Sequence, residues 1–258
     1  MAMQCLSQIL HNYKKVAVAY SGGLDSTTLL TLGQKVLEKN VVALMGVAPI
    51  FSVQEQVEGE RFCLEHGIEI VKVFFEPMQI PEFVANGENR CYYCKKALFS
   101  LLQEKAKDLG AILVDGTNLD DDGDFRPGRK AAEELGVASP FYAAGMGKDD
   151  IRKLARDLQL SLWDKPSMAC LASRILKGTE IKADVLQRID KAEEAIRNLG
   201  YKQIRCRVMG NAKFIIENES GEFSTENKEK IRDILIANFL SVKQTEYAKY
   251  TTGAMNLR

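Results

Sequence analysis

The chain has 258 residues, 46% hydrophobic and 27% charged, an ordinary globular composition with enough length for a full core and, at about one domain per 150 residues, for two domains. Thirty-five basic and 35 acidic residues cancel, so no overall field favours a nucleic acid partner. The longest uncharged run, residues 40–54, is shorter than a membrane span and contains Pro49, and Met1-Ala2-Met3-Gln4-Cys5 lacks the regions of a signal peptide. These features predict a cytoplasmic protein with no membrane partner, whose six cysteines are thiols or metal ligands rather than structural disulfides.

Residues 16–20 carry no charge and read as a central strand buried on both sides. The turn Ser21-Gly22-Gly23-Leu24-Asp25-Ser26 follows, and Leu29, Leu32 and Val36 then recur at helical spacing. Two glycines let a ligand approach the backbone, and the helix start points free N–H groups and its positive dipole end into the turn, so the stretch suits an anion. It is not a Walker A loop, which needs Lys-Ser or Lys-Thr after its glycines. The bland alternative is a glycine turn into a helix capped by Asp25 or Ser26.

Residues 41–47 predict a second buried strand, residues 55–66 a polar helix ending at Gly67, and residues 68–73 a third strand. Leu98, Leu101, Leu102, Lys105 and Leu109 mark a helix starting near Cys91, and residues 111–115 a fourth strand. This alternation predicts an α/β fold with a doubly wound parallel sheet. The loop of residues 116–129 leaves a strand's carboxyl end and gathers Asp120, Asp121, Asp122 and Asp124, so it is either a solvated turn or part of a nucleotide and magnesium site. A linker is expected at residues 176–179, dividing a domain of residues 1–175 from a small α+β domain of residues 176–258. There Ile181, Val185, Ile189, Ala192, Ile196 and Leu199 form a helical apolar stripe, followed by strands at residues 201–208 and 212–217, a helix at residues 225–239 and a last strand at residues 242–248.

Cys91-Tyr92-Tyr93-Cys94 puts two thiols on one face at a helix start, where thiolate is favoured; alone the pair is equally a redox dithiol, half a zinc site or a packing accident. Cys170 lies in a short loop-like stretch at the domain boundary. In Ile204-Arg205-Cys206-Arg207-Val208 the two arginines share one strand face, either holding a phosphate or lying solvated on an open sheet. Cys5, Cys63 and Cys206 read as buried small hydrophobes and Trp163 as core, while Glu193 or Glu194 either lines the boundary cleft or, as is commoner for such residues, faces water.

Ser-Gly-Gly-x-Asp-Ser after a strand resembles the PP-loop ATP pyrophosphatase superfamily. The resemblance implies that Ser21, Gly22, Gly23 and Ser26 contact the phosphates of ATP, with Asp25 acting through magnesium or by ordering the loop. Asn89-Arg90-Cys91-Tyr92-Tyr93-Cys94-Lys95, Asp115-Gly116-Thr117-Asn118, Asp124-Phe125-Arg126-Pro127-Gly128 and Cys170-Leu171-Ala172-Ser173-Arg174 together resemble the LarE family of sulfur transferases, over most of the first 175 residues. That resemblance adds Gly116, Thr117, Asn118 and Arg126 to the nucleotide site. It implies adenylation of a carboxylate of pyridinium-3,5-biscarboxylic acid mononucleotide and its conversion to a thiocarboxylate for the nickel-pincer cofactor.

The family delivers sulfur in two ways. A single cysteine at the position of Cys170 gives up its own sulfur by elimination, or three cysteines hold a 4Fe–4S cluster with one open iron. Cys91, Cys94 and Cys170 match the second pattern, which is the reading favoured here. Ser173, Arg174, Arg205 and Arg207 are the expected substrate-binding residues of a small second domain that also serves homo-oligomerisation. Other readings are a tRNA thiolase or amidating synthetase of the same superfamily, which zero net charge disfavours for tRNA, and a nucleotide-binding module without catalysis.

Overall fold

A computed structural model describes residues 2–123, 127–166, 169–210 and 212–251. Its elements run α1 (Ala2–Tyr13), β1 (Val16–Ala19), α2 (Leu24–Leu37), β2 (Val41–Val47), α3 (Val53–Glu65), β3 (Glu69–Phe74), α4 (Pro81–Val84), α5 (Arg90–Asp108), β4 (Ile112–Val114), α6 (Pro127–Glu134), α7 (Pro140–Ala143), α8 (Lys148–Asp157), α9 (Ala183–Arg197), β5 (Ile204–Val208), β6 (Lys213–Asn218), α10 (Thr225–Asn238) and β7 (Gln244–Lys249). The chain divides into two units. One comprises residues 1–48, 54–77 and 91–168, the other residues 49–53, 78–90 and 169–258.

In the first unit the uncharged strands pair in parallel in the order β3-β2-β1-β4, with Val16 opposite Val41 on one side and Ile112 on the other. Period-two alternation splits their side chains between two cores. Val16, Val18, Val41, Ala43 and Val114 join Leu6, Leu10, Leu29, Leu30, Cys63 and Leu154, from α1, α2, α3 and α8. Ala17, Val42, Leu44 and Leu113 join Phe99, Leu102 and Ala106 of α5 and Ala132 of α6. The sheet is therefore covered on both faces, the doubly wound α/β fold expected. Because the chain moves outward from β1 to β3 and returns to β4 on β1's other side, the order reverses between β1 and β4, where such sheets bind ligands.

The second unit is built on a three-stranded mixed sheet, β5 antiparallel to β6 and β6 parallel to β7. Leu186, Ile189, Ala192 and Ile196 of α9 are buried, as are Ile204, Cys206, Phe214, Ile216, Ile231 and Leu235. The division differs from the expected boundary after residue 175. Leu171, Ala172, Arg174 and Ile175 are buried in the second unit, where Leu171 N–H donates to Ile50 O at 2.8 Å and Ile175 bridges to Val208. The expected linker is also fastened: the Asn86 amide donates to the carbonyls of Leu176 and Thr179, both at 2.9 Å. Helices α1 and α8 were not predicted. Among the described residues no helix is long and apolar enough to cross a membrane.

Candidate functional site

The turn after β1 is shaped by close backbone approach. Gly22 has φ +72°, and a Cβ there would lie 3.0 Å from Glu55 O and 3.5 Å from Gly59 Cα; a Cβ on Gly59 would lie 2.8 Å from Met45 Cε. The backbone of α3 thus backs the turn on one side. On the other, a Cβ on Gly116, after β4, would lie 3.0 Å from Asp25 Cβ and 3.3 Å from Ser26 N, so glycine at 116 keeps the first turn of α2 uncovered. The helix starts from Gly23 with no side-chain cap. This corrects the bland alternative: Asp25 and Ser26 lie inside the helix and do not cap it.

The two serines tie the turn together. Ser26 Oγ lies 3.2 Å from Gly23 O, 3.2 Å from Ser21 N and 3.1 Å from Ser21 Oγ. With its one proton given to Gly23 O, Ser26 Oγ accepts from Ser21 N–H and from the Ser21 hydroxyl, and Gly23 N–H donates to Ser21 Oγ at 3.4 Å.

Two lysines not named from sequence reach this turn. Lys148, the first residue of α8, lies with Nζ 2.6 and 2.7 Å from the two oxygens of Asp25. Its backbone N–H donates to Asp120, so Asp120 caps α8; the Asp120 N–H in turn donates to Asn118 Oδ1 at 3.1 Å. Lys165 Nζ lies 3.5 Å from Gly22 O, 3.1 Å from Glu58 Oε2 and 3.8 Å from Glu55 Oε1. The weak signal for Lys148 was Gly147-Lys148 opening a helix; Lys165 sits in irregular chain with no periodicity to mark it.

Of the expected nucleotide residues, Ser21, Gly22, Gly23, Asp25, Ser26 and Gly116 are brought together. Thr117 and Asn118 follow in the same loop in structural roles. The Thr117 hydroxyl donates to Asp115 at 2.7 Å, where Ser139 also donates, and Asn118 N–H donates to Asp121 at 3.0 Å. Within the acidic loop, Asp120 and Asp121 therefore serve as hydrogen-bond acceptors for the chain itself. Asp124 and Arg126 lie outside the described residues.

Cys91 and Cys94 are the second and fifth residues of α5, half-buried and buried; Cys170 is half-buried in the second unit. Among the described residues no cysteine is in a disulfide, and no three His, Cys, Asp or Glu side chains form a group that could hold a metal ion. Cys63 and Cys206 are buried as expected, whereas Cys5 is exposed. Trp163 is 39% exposed rather than core, with the Arg156 guanidinium 4.3 Å above its ring.

The arginines of β5 are inside the protein and not on an open sheet face. Arg207 donates from Nε and Nη2 to Glu217 Oε2 at 3.0 and 2.8 Å, and from Nη1 to Ser173 O at 2.8 Å. Arg205 lies over the Tyr250 ring at 5.2 Å; burial, and then the like charge of Arg174, push its guanidinium down to about 10. Arg174 donates from Nε and Nη2 to the two oxygens of Glu193 at 2.8 and 2.9 Å, and from Nη1 to the Ser173 hydroxyl at 3.1 Å. Glu193, expected to line a cleft or face water, is 0% exposed. Its position was legible, since it falls four residues after Ile189 and three before Ile196 on the buried stripe of α9.

Fold and site together define an α/β protein with a glycine-shaped, serine-tied turn and two lysines where its parallel sheet changes direction. No family model matches the chain. It is 39% identical over 206 residues to an uncharacterized protein of Synechocystis sp., covering 80% of this chain and 77% of that one, and 33% identical over 224 residues to an uncharacterized protein of Methanocaldococcus jannaschii, covering 85% and 84%. It is 30% identical over 251 residues to the pyridinium-3,5-bisthiocarboxylic acid mononucleotide synthase of Lactiplantibacillus plantarum, covering 96% of this chain and 91% of that one. The chain belongs to the family of that synthase, the LarE family.

Proposed function

We propose that the chain is an ATP-dependent sulfur transferase that adenylates a carboxylate of pyridinium-3,5-biscarboxylic acid mononucleotide, releases pyrophosphate, and replaces the activated oxygen with sulfur on the route to a nickel-pincer cofactor. A carboxylate has no good leaving group until AMP supplies one. The observation that carries the reading is the uncapped start of α2 behind Ser21-Gly22-Gly23, kept open by Gly116, in a chain that aligns with a bisthiocarboxylic acid synthase over 96% of its length. Backbone N–H groups and the helix dipole there would take the phosphates, with Lys148 and Lys165 adding charge. Asp25, paired with Lys148, would be the carboxylate to exchange that lysine for magnesium.

For sulfur delivery, Cys91, Cys94 and Cys170 are by type the thiolate donors that would hold a 4Fe–4S cluster, which when bound would supply sulfur at its open iron; the support is the type and number of the donors, since the described residues show no gathered metal-binding group. Substrate binding by Ser173, Arg174, Arg205 and Arg207 is supported by the charge of the three guanidinium groups and by Ser173 and Arg174 following closely on Cys170, although Arg174 and Arg207 each hold a buried carboxylate. The second reading, sacrifice of Cys170, is favoured by how firmly its segment is fastened. There the Cys170 thiolate attacks the acyl-adenylate, AMP leaves, and loss of the Cα proton with cleavage of the Cβ–S bond leaves dehydroalanine and a thiocarboxylate.

Oxygen-free protein given Mg-ATP and the pyridinium dicarboxylate mononucleotide should release pyrophosphate and AMP in step with thiocarboxylate. ATP bound without substrate-dependent pyrophosphate release would sink the proposal. Brown protein with about four irons per chain supports the cluster. Iron-free protein that turns over once and loses the mass of hydrogen sulfide at Cys170 establishes the sacrifice.

A further inference from the structure

Four carbonyls in the segment from Ala169 to Ser173 are each held by a guanidinium. Arg174 Nη1 donates to Ala169 O and to Cys170 O, Arg90 Nη1 to Ala172 O, and Arg207 Nη1 to Ser173 O. Each arginine is anchored behind by a buried acceptor: Arg174 by Glu193, Arg207 by Glu217, Arg90 by Asn86 Oδ1. Glu193 does the most. One carboxylate grips Arg174 with both oxygens, the fork geometry that leaves a guanidinium no rotational freedom, and its Oε1 also accepts the Cys206 N–H at 2.8 Å. Burial alone would raise the Glu193 carboxyl, but Arg174, then Arg205 and the Cys206 N–H, bring it below the ordinary carboxylate value, so the fork is a fully ionised pair at neutral pH.

We infer that Glu193 is a positioning residue for Cys170: through Arg174 and the strand β5 backbone it fixes the carbonyls on either side of the thiol's Cα, and so sets where the sulfur points, without itself touching substrate. The inference rests on the reading of Cys170 as the residue that handles sulfur, and deepens it. A carboxylate that is 0% exposed, with both oxygens already accepting from the protein, is out of a ligand's reach, which separates this role from binding.

The test compares wild type with Glu193→Gln and Glu193→Asp. Gln keeps the shape but turns an NH2 toward Arg174; Asp keeps the charge with a shorter reach. With iodoacetamide and peptide mass mapping, Cys170 in Glu193→Gln should change its alkylation rate by about fivefold or more while exposed Cys5 does not, and Asp should restore part of the difference. In turnover, kcat should fall about tenfold or more with the ATP KM changed less than about twofold. A folded Glu193→Gln variant with wild-type alkylation at Cys170 overturns the inference. If neither variant folds, hydrogen exchange of the wild-type protein decides: peptides of residues 169–175 should be protected like those of β5, and exchange as fast as the surface turn at residues 219–222 overturns it. The alkylation and exchange readouts need no substrate, so expected alkylation with no thiocarboxylate formed would sink the proposed function and leave the positioning role standing.

Discussion

Lys148→Ala removes an ammonium that holds both oxygens of Asp25 from part-exposed positions, so it should cost little stability, under about 1 kcal/mol, yet raise the ATP KM about tenfold, roughly 1.4 kcal/mol. Steady-state kinetics beside a urea melt checks both, and an unchanged ATP KM would remove Lys148 from the site. Arg207→Ala is expected to do the opposite. It leaves Glu217 buried and uncompensated, at about 3–5 kcal/mol in chemical denaturation, and a loss under about 1 kcal/mol would show that the pair is weaker than its geometry. Glu193 adds a pH dependence. Its folded carboxyl lies below the ordinary 4.5, so its contribution is present in full above that value and is lost as pH falls through the lower folded one. Melting temperature should therefore drop in that acid window, and less steeply in Glu193→Gln. At this scale the sequence announced chemistry where residue types were unusual for packing, as in Ser21-Gly22-Gly23, and hid it where a lysine or glutamate looked like any other. Only the buried stripe of α9 separates Glu193 from Glu194, and nothing local separates Lys165 from the other surface lysines.

Elements were legible in proportion to their burial. The uncharged runs of β1 and β2 could only be central strands, and they are, whereas β3 at the sheet edge alternates weakly and leaves Phe74 74% exposed. The amphipathic α1 went unread because its start carries no acidic or glycine signal, whereas α8 does open on Gly147 with Asp149 and Asp150 in its first turn, a signal in the sequence that a ten-residue helix makes weak. The turn after β1 makes its own prediction. Gly22→Ala must adopt φ +72° and bring a methyl within 3.0 Å of Glu55 O, so it should cost about 1–2 kcal/mol of stability and weaken binding of a non-hydrolysable ATP analogue at least about tenfold by calorimetry. Wild-type affinity in that variant would mean that phosphate is held elsewhere.

For the whole molecule, the sequence showed a parallel-sheet domain followed by a small mixed one, but put the division too late. Composition changes after Arg174, whereas what joins residues 169–175 to the second unit is buried charge from residues far apart in sequence, which no local pattern carries. Residues 49–53 and 78–90 also belong to that unit, tied by backbone hydrogen bonds such as Leu171 N–H to Ile50 O and Ile181 N–H to Val84 O, which are just as distant in sequence.

The fastening of residues 169–174 has a practical consequence for anyone dividing this protein. Its groups come from residues 50, 90, 193 and 207 as well as from Arg174 itself, so a fragment cut at 175 keeps every motif that the nucleotide turn and the three thiols supply while discarding Glu193, which grips Arg174, and Arg207, which holds Ser173 O. Such a fragment would look complete by its signature residues and present Cys170 on slack chain.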